Sequence, residues 1–236
     1  MDYKICNTED IRDILIRKFE NNEFRILAPG TDHEVKTVEI QHAHFLADKD
    51  WIIREPNYDY AARELEWYDS QSLNVNDIPG ETPKIWKQVA DKNGIINSNY
   101  GWVIYSPQNF LQYKNCFESL CKDPHTRQAV MIYNRPSMQY ENSMNGMHDF
   151  MCTFSTQLFL NEDDMGYGKK LDYIVNMRSS DLVFGFNNDI LWHREVQKRM
   201  SNDLSKHFNE QIIPGDIIWN AGSAHVYERH FKFLLK

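Results

Sequence analysis

The stretch Asp149-Phe150-Met151-Cys152-Thr153-Phe154-Ser155-Thr156-Gln157-Leu158-Phe159-Leu160 decides the fold. Phe150, Cys152, Phe154, Leu158 and Leu160 repeat with period two, which predicts a long strand. Downstream, Leu171, Tyr173, Val175 and Met177 alternate in the same way, with Asn161 to Lys170 as the connecting loop. Helical periods flank this pair. Ile11, Ile14, Leu15 and Phe19 predict a helix over 9–20 with Thr8 as its cap. Ala61, Leu65 and Tyr68 predict another over 58–70, and the spacing puts Glu64 on that same inward face. Ser106-Pro107 reads as a cap and first-turn proline before the stripe Phe110, Tyr113, Phe117, Leu120 and Cys121.

Val38 and Ile40 alternate with polar neighbours in a strand over Thr37 to Ala47, and Ala129 to Tyr133 reads as a buried strand followed by irregular chain to Gly146. A further helix is expected to begin near Asp189, and Pro214-Gly215-Asp216 to turn the chain into a strand at Ile217 to Trp219. With no repeat and no linker-like composition, the simplest reading is one α+β domain over 1–236.

Composition narrows the function. The 236 residues carry a formal charge of −8, which disfavours a protein that coats nucleic acid. No apolar run approaches the roughly 20 residues of a membrane span, and Met1-Asp2-Tyr3-Lys4 does not open a signal peptide, so a cytoplasmic protein is expected. Cys6, Cys116, Cys121 and Cys152 match no zinc or redox spacing and are expected as free thiols. Cys116 and Cys121 belong to a helix stripe and read as packing.

Taken singly, the remaining candidates are each open to a bland reading. Cys152 is a nucleophile or a small core residue, and Glu64 a catalytic carboxyl or half of a structural ion pair. Arg127, Arg178 and Ser179 suit a phosphate dianion, though surface arginines are common. His225 and Tyr227 alternate on a strand and present two polar tips. Asp181 and Asp189 flank Gly185 and either bond a heterocycle or cap the following helix.

Their order is more informative. Glu64-Leu65-Glu66-Trp67-Tyr68, Asp77-Ile78-Pro79-Gly80-Glu81-Thr82-Pro83-Lys84-Ile85-Trp86 and Asn97-Ser98-Asn99-Tyr100-Gly101-Trp102 are followed by Arg135-Pro136-Ser137-Met138-Gln139 and Asp149-Phe150-Met151-Cys152-Thr153. Asn176-Met177-Arg178-Ser179-Ser180-Asp181 and Ile218-Trp219-Asn220-Ala221-Gly222-Ser223-Ala224-His225-Val226-Tyr227 complete the series. In these seven ordered motifs, over roughly residues 35–231, the sequence resembles the thymidylate synthase superfamily, and within it the deoxycytidylate hydroxymethylase branch of T-even phages.

That resemblance implies a mixed β-sheet with flanking helices and a sheet face forming a homodimer interface. It implies Cys152 as nucleophile, Glu64 as catalytic carboxyl and Tyr100 as a site tyrosine. Arg127, donated across the interface, would bind the nucleotide phosphate with Arg178 and Ser179, while His225 and Tyr227 hold the sugar. Trp86, Ile85, Asp181 and Gly185 would line the folate site. Asp189 stands where synthases carry a uracil-reading asparagine and the deoxycytidylate branch an aspartate.

The implied reaction transfers a one-carbon unit from 5,10-methylenetetrahydrofolate to carbon 5 of dCMP without a metal and ends with addition of water. Arginines beside Cys152 are expected to lower its pKa. The setting the resemblance implies is a host bacterial cytoplasm, with other phage nucleotide-synthesis enzymes as expected partners. Rival readings are a pyrimidine methylase, a CMP hydroxymethylase and a catalytically silent nucleotide-binding or replication-complex protein.

Three features depart from the pattern. Arg127-Gln128 stands where two arginines are usual, and Thr31-Asp32-His33-Glu34 replaces an N-terminal basic ligand, with Lys36 or Arg135 as substitutes. Thr153 replaces the histidine that follows the nucleophile in synthases. The sequence stops at Lys236, just past His230, where relatives continue into a lid over the folate, so the resemblance does not extend to that lid.

Overall fold

The computed structural model describes residues 5–162, 166 and 168–235. Its elements in chain order are β1 (Cys6–Asn7), α1 (Thr8–Glu20), β2 (Phe24–Leu27), β3 (Val35–Leu46), α2 (Tyr58–Ser70), α3 (Lys84–Val89) and α4 (Tyr100–Tyr105). There follow α5 (Gln112–Lys122), β4 (Val130–Ile132), α6 (Met138–Glu141), β5 (Thr153–Glu162), β6 (Lys169–Met177), β7 (Ser180–Asp181), α7 (Gly185–Phe208) and β8 (Ile212–Tyr227). Among the described residues the strands form one mixed sheet, ordered β1-β3-β8-β6-β5-β4, with β2 beside β3 and β7 beside β8. The α+β class expected from the sequence is the class observed.

Register explains the two faces of the sheet. Phe45, Trp219 and Val175 are cross-strand neighbours and fully buried, with Phe186 of α7 packed on Phe45 and Trp219. The adjacent row, His44, Asn220, Asn176 and Ser155, points the other way and is linked side chain to side chain at 2.5, 2.9 and 3.3 Å. Ile132, Phe159, Ile174 and Ile218 flank that polar row, half-buried or exposed.

Several local expectations give way. Asn7, not Thr8, caps α1, because the Thr8 hydroxyl is occupied by Asp48 at 2.7 Å. Ser106 caps only a short 3-10 turn over Pro107–Asn109. Phe110 and Leu111 then adopt left-handed backbone, which throws Phe110 out to 82% exposure and removes it from the stripe. On α2, Trp67 is buried where Leu65 is only partly so. The buried strand expected at Ala129 to Tyr133 is an edge strand whose Ile132 faces outward.

The first long strand starts later than its alternation suggests. Cys152 and Phe150 precede β5, and the ladder slips between Thr153 and Ser155. That bulge exchanges the faces: Met151 and Thr153 point inward before it, Thr156, Leu158 and Leu160 after it, so Phe154 is exposed. Asn161 and Glu162 belong to the ladder with Lys170 and Lys169, and the rest of the expected loop falls partly on 163–165 and 167, outside the described residues.

Pro214-Gly215-Asp216 is no turn. It is a bulge within β8, where Leu171 pairs with Pro214 but Tyr173 with Ile217. A Cβ on Gly215 would fall 2.1 Å from Asp172 Oδ1, the oxygen that receives the Asp216 N–H at 2.8 Å, so only glycine fits this approach. Finally, α7 begins at Gly185, which leaves Asp189 inside the helix rather than at its cap.

Candidate active site

Asn57 accepts the Tyr60 N–H at 3.1 Å and starts α2, whose inner face is Ala61, Glu64, Trp67 and Tyr68. Glu64 is only 4% exposed. Its Oε1 accepts from the Tyr60 hydroxyl and, at 3.1 Å, from the Trp86 indole N–H, which also lies 2.9 Å from the Tyr60 oxygen. Burial pushes this carboxyl up to about 7, against the pull of the two hydrogen bonds. A carboxyl poised there can take a proton at neutral pH.

Gly101 lets α4 approach α2: a Cβ would sit 1.8 Å from the Tyr68 carbonyl oxygen. Tyr100 consequently stacks on Tyr68, with ring centroids 5.2 Å apart, and its hydroxyl donates to Asp189 Oδ1 at 3.1 Å. Asp189 is pushed up to about 7, first by burial and then by the charge of Glu64. The helix-cap reading of Asp189 is excluded by its place in α7, whereas Asp181 does accept the Val183 N–H at 2.9 Å just before that helix.

Cys152 is half-buried in the turn ahead of β5, its carbonyl held by the Arg178 N–H at 2.8 Å. The Arg178 guanidinium donates to the carbonyls of Phe150 and, at 3.1 Å, Met151, and lies 4.8 Å from the Phe150 ring centroid. Asp149 anchors the same turn, with Oδ2 accepting the Asn97 and Ser98 N–H groups at 2.7 and 2.8 Å and Oδ1 the Ser98 hydroxyl at 2.6 Å. The expected lowering of the Cys152 pKa is not what this setting produces. Burial, with Asp189, Asp149 and Asp181 nearby, pushes the thiol up to about 11, and Arg178 only partly offsets it.

β7 lies parallel to β8 with Asp181 opposite His225, which gathers the last group of candidates. Ser223 Oγ is 3.1 Å from His225 Nδ1, and the His225 and Tyr227 rings meet edge to face at 4.6 Å. His225 Nε2 is buried with no hydrogen-bond partner among the described residues. Ser179 is half-buried beside Arg178. The charge of Asp181 bears on Cys152, Asp189, His225 and Tyr227 alike, so these groups share one site.

At the rim, Ile85 of α3 is 56% exposed beside Trp86. Arg127 stands apart. It is exposed ahead of β4, and the register puts Val130 opposite Gln157. Gln157 is five residues beyond Cys152 on β5, so at about 3.3 Å per residue Arg127 lies on the order of 17 Å from the thiol or farther. Of the proposed substitute cations, Lys36 meets Glu228 at 3.9 Å, and Arg135 meets Asn97 and Glu141 at 3.4 and 3.5 Å. Sequence reading missed Tyr60, although its position one helical turn before Glu64 signals the contact. It also missed the anchoring role of Asp149, which joins segments 51 or more residues apart and leaves no local signal.

Among the described residues no group of three or more His, Cys, Asp or Glu is disposed to hold a metal, and no helix is long and apolar enough to cross a membrane. The family model described as Thymidylate synthase matches residues 25–236. The deoxycytidylate 5-hydroxymethyltransferase of Enterobacteria phage T4 is 50% identical over 224 residues, covering 94% of this chain and 87% of that protein. Its counterpart from phage T2 gives the same figures. The structure of thermostable thymidylate synthase A from Bacillus subtilis superposes with a TM-score of 0.66 at 19% identity, covering 97% of this chain and 82% of that one, and so shares the fold. On the family match and the relatedness together, this chain belongs to the thymidylate synthase family.

Proposed function

We propose that this protein is a single-domain deoxycytidylate 5-hydroxymethyltransferase, which adds a one-carbon unit to carbon 5 of dCMP and completes it with water. The observation that carries the reading is Asp189, a carboxyl pushed up to about 7 beside Tyr100 and within the electrostatic reach of Cys152. Cytosine offers an acceptor at nitrogen 3 and a donor at its amino group. A carboxylic acid answers both, whereas a carboxylate opposes nitrogen 3 with a second acceptor. The 50% identity to the T4 deoxycytidylate enzyme supports the same substrate.

Cys152 adds to carbon 6 of the base, which makes carbon 5 nucleophilic. With its thiol pushed up to about 11, Cys152 gives its proton to solvent water as the sulfur attacks, and Arg178 is the cation that favours the anion. Asp189 holds a proton at nitrogen 3 during that addition. Once carbon 5 carries the one-carbon unit, Glu64 removes the carbon 5 proton, water adds to the one-carbon carbon, and Cys152 is expelled as carbon 5 and carbon 6 regain their double bond. His225, Tyr227, Arg178 and Ser179 bind sugar and phosphate; the unpartnered Nε2 of His225 suits a hydroxyl.

Methylenetetrahydrofolate supplies the one-carbon unit when bound. The rim fits such a group: exposed Ile85 and the Trp86 indole offer an apolar wall, Gly185 a bare backbone, and Asp181 an acceptor for ring N–H donors. On this reading two copies pair through the open sheet face, and each lends Arg127 to the other. The apolar flanks of that face and the remoteness of Arg127 from Cys152 support the pairing. The enzyme acts in the cytoplasm of a phage-infected host.

Incubation with tetrahydrofolate, formaldehyde and dCMP, dUMP or CMP, followed by product mass, tests the proposal. A hydroxymethyl product from dCMP is expected. Methylation with dihydrofolate release, preference for CMP, or no product from any of the three overturns it.

A further inference from the structure

Thr153 is wholly buried beneath the site, at the first position of β5 and next to Cys152. Its hydroxyl oxygen lies 3.0 Å from the Tyr100 oxygen and 3.1 Å from Met177 Sδ. One proton serves both contacts, and a phenol oxygen is the stronger acceptor than a thioether. The Thr153 proton therefore goes to Tyr100, and Tyr100 sends its own to Asp189 Oδ1, 3.1 Å away. The second oxygen, Oδ2, lies toward Gly185: a Cβ at that residue would be 4.0 Å from it.

We propose that Thr153 is a positioning residue for base selection, which through Tyr100 fixes Asp189 Oδ1 as the acceptor and Oδ2 as the oxygen that carries the acid proton. The inference rests on the dCMP reading given above. With Oδ1 committed to accepting, Oδ2–H donates to cytosine nitrogen 3 while Oδ1 also receives the amino group, a double acceptance within the capacity of a carbonyl oxygen. Without the Thr153 hydroxyl, the phenol oxygen is free to accept a proton from Oδ1. Oδ2 is then a bare acceptor, which suits the N–H of uracil. A chain of two donated hydrogen bonds also makes the phenol a stronger donor than it is alone.

The groups facing Asp189 are Glu64 and Tyr68 from α2, Tyr100 from α4, Cys152 ahead of β5 and Asp181 from β7. Glu64 must be ionised to act as base and governs the acid limb of the rate profile. Asp189 must be protonated and governs the alkaline limb. Both carboxyls are pushed up to about 7 and the charge of Glu64 raises Asp189, so the limbs overlap and the readout is the direction in which the alkaline limb moves. Because the Tyr100 hydrogen bond favours the ionised form of Asp189, weakening it moves the alkaline limb upward.

The test compares wild type, Thr153→Val and Thr153→Ser for kcat/KM with dCMP and dUMP across pH, with dCMP binding followed by calorimetry. Thr153→Val is expected to lower the dCMP-to-dUMP ratio about fivefold and to shift the alkaline limb for dCMP to higher pH, with Thr153→Ser restoring both. Thr153→Ala gives the same comparison if the valine variant does not fold. An unchanged ratio and limb in the hydroxyl-less variant, or a serine variant as impaired as the valine, overturns the inference while the dCMP reading stands. A wild type that neither binds nor converts dCMP overturns both.

Discussion

The indole nitrogen of Trp86 lies 3.1 Å from Glu64 Oε1, so a residue at the rim of the site bears, after burial and Tyr60, on the ionisation of the carboxyl buried at its centre. That hydrogen bond lowers the Glu64 pKa against the burial that raises it. Trp86→Phe removes the donor and keeps most of the apolar wall. Glu64 then ionises at higher pH, and the acid limb of kcat is expected to move upward from about 7. A profile measured between pH 5.5 and 9 checks the direction; an unmoved limb would separate Glu64 from the rate-limiting proton transfer.

Glu64 also bears on stability. Its pKa in the folded protein is raised from 4.5 to about 7, so between these values the folded state holds more protons than the unfolded chain. Stability from this group is full below about 4.5 and is lost as pH rises through about 7. Glu64→Gln abolishes that loss while keeping an acceptor for Tyr60 and Trp86. The variant is expected to be inactive yet more stable than wild type at pH 8, on the order of 1 to 3 kcal/mol. Denaturant melts at pH 5 and pH 8 would show the gap opening only at the higher pH.

Cys152→Ser is expected to abolish turnover and to leave dCMP binding largely intact, since an alcohol does not add to carbon 6. Cys116, 2% exposed in α5, has no such role, and Cys116→Ala should cost roughly 1 kcal/mol of packing with kcat retained. Rates and melting temperatures of the two variants form a crossed comparison: activity lost in one, stability in the other.

Arg127→Ala and Cys152→Ser, each inactive alone, are expected to regain partial activity when mixed under conditions that allow subunit exchange. A mixed dimer holds one site with both residues intact only if Arg127 is contributed by the neighbouring copy. No recovery, with exchange demonstrated by labelled subunits, would return Arg127 to a role on its own subunit.

Asp189→Asn should move preference from dCMP toward dUMP by about tenfold or more, since an opposed pair of acceptors in a desolvated pocket costs at least roughly 1.4 kcal/mol. The amide presents a donor to oxygen 4 and an acceptor to the nitrogen 3 proton of uracil. Specificity constants for both nucleotides decide it.

The sequence was legible where chemistry and periodicity act locally. The inward turn of Glu64 follows from helical spacing alone, and the order of seven motifs, among them those holding Cys152 and Arg178, identified the family. It was illegible where backbone irregularity intervenes. The slip at Thr153/Ser155 exchanges the faces of β5, and no residue type there announces it. Pro214-Gly215-Asp216 has the composition of a turn, yet Asp172 on the neighbouring strand receives its N–H and keeps it in the ladder. The ionisation of Cys152 was misjudged because charge neighbours are visible in a motif and burial is not.

Strand β8 lies between β3 and β6 and is the last strand among the described residues, with Thr37 opposite Tyr227. During synthesis the inner edge of β3 therefore waits without its partner until residues 212–227 have left the ribosome, and residues before them cannot close the sheet. His225 and Tyr227 arrive on that same strand, so the end of the candidate site proposed to hold the sugar and the continuity of the sheet are completed in one event. Such non-local pairing slows folding and leaves an open strand edge exposed on the nascent chain, which makes translation speed and chaperone supply determinants of how much active protein a cell obtains.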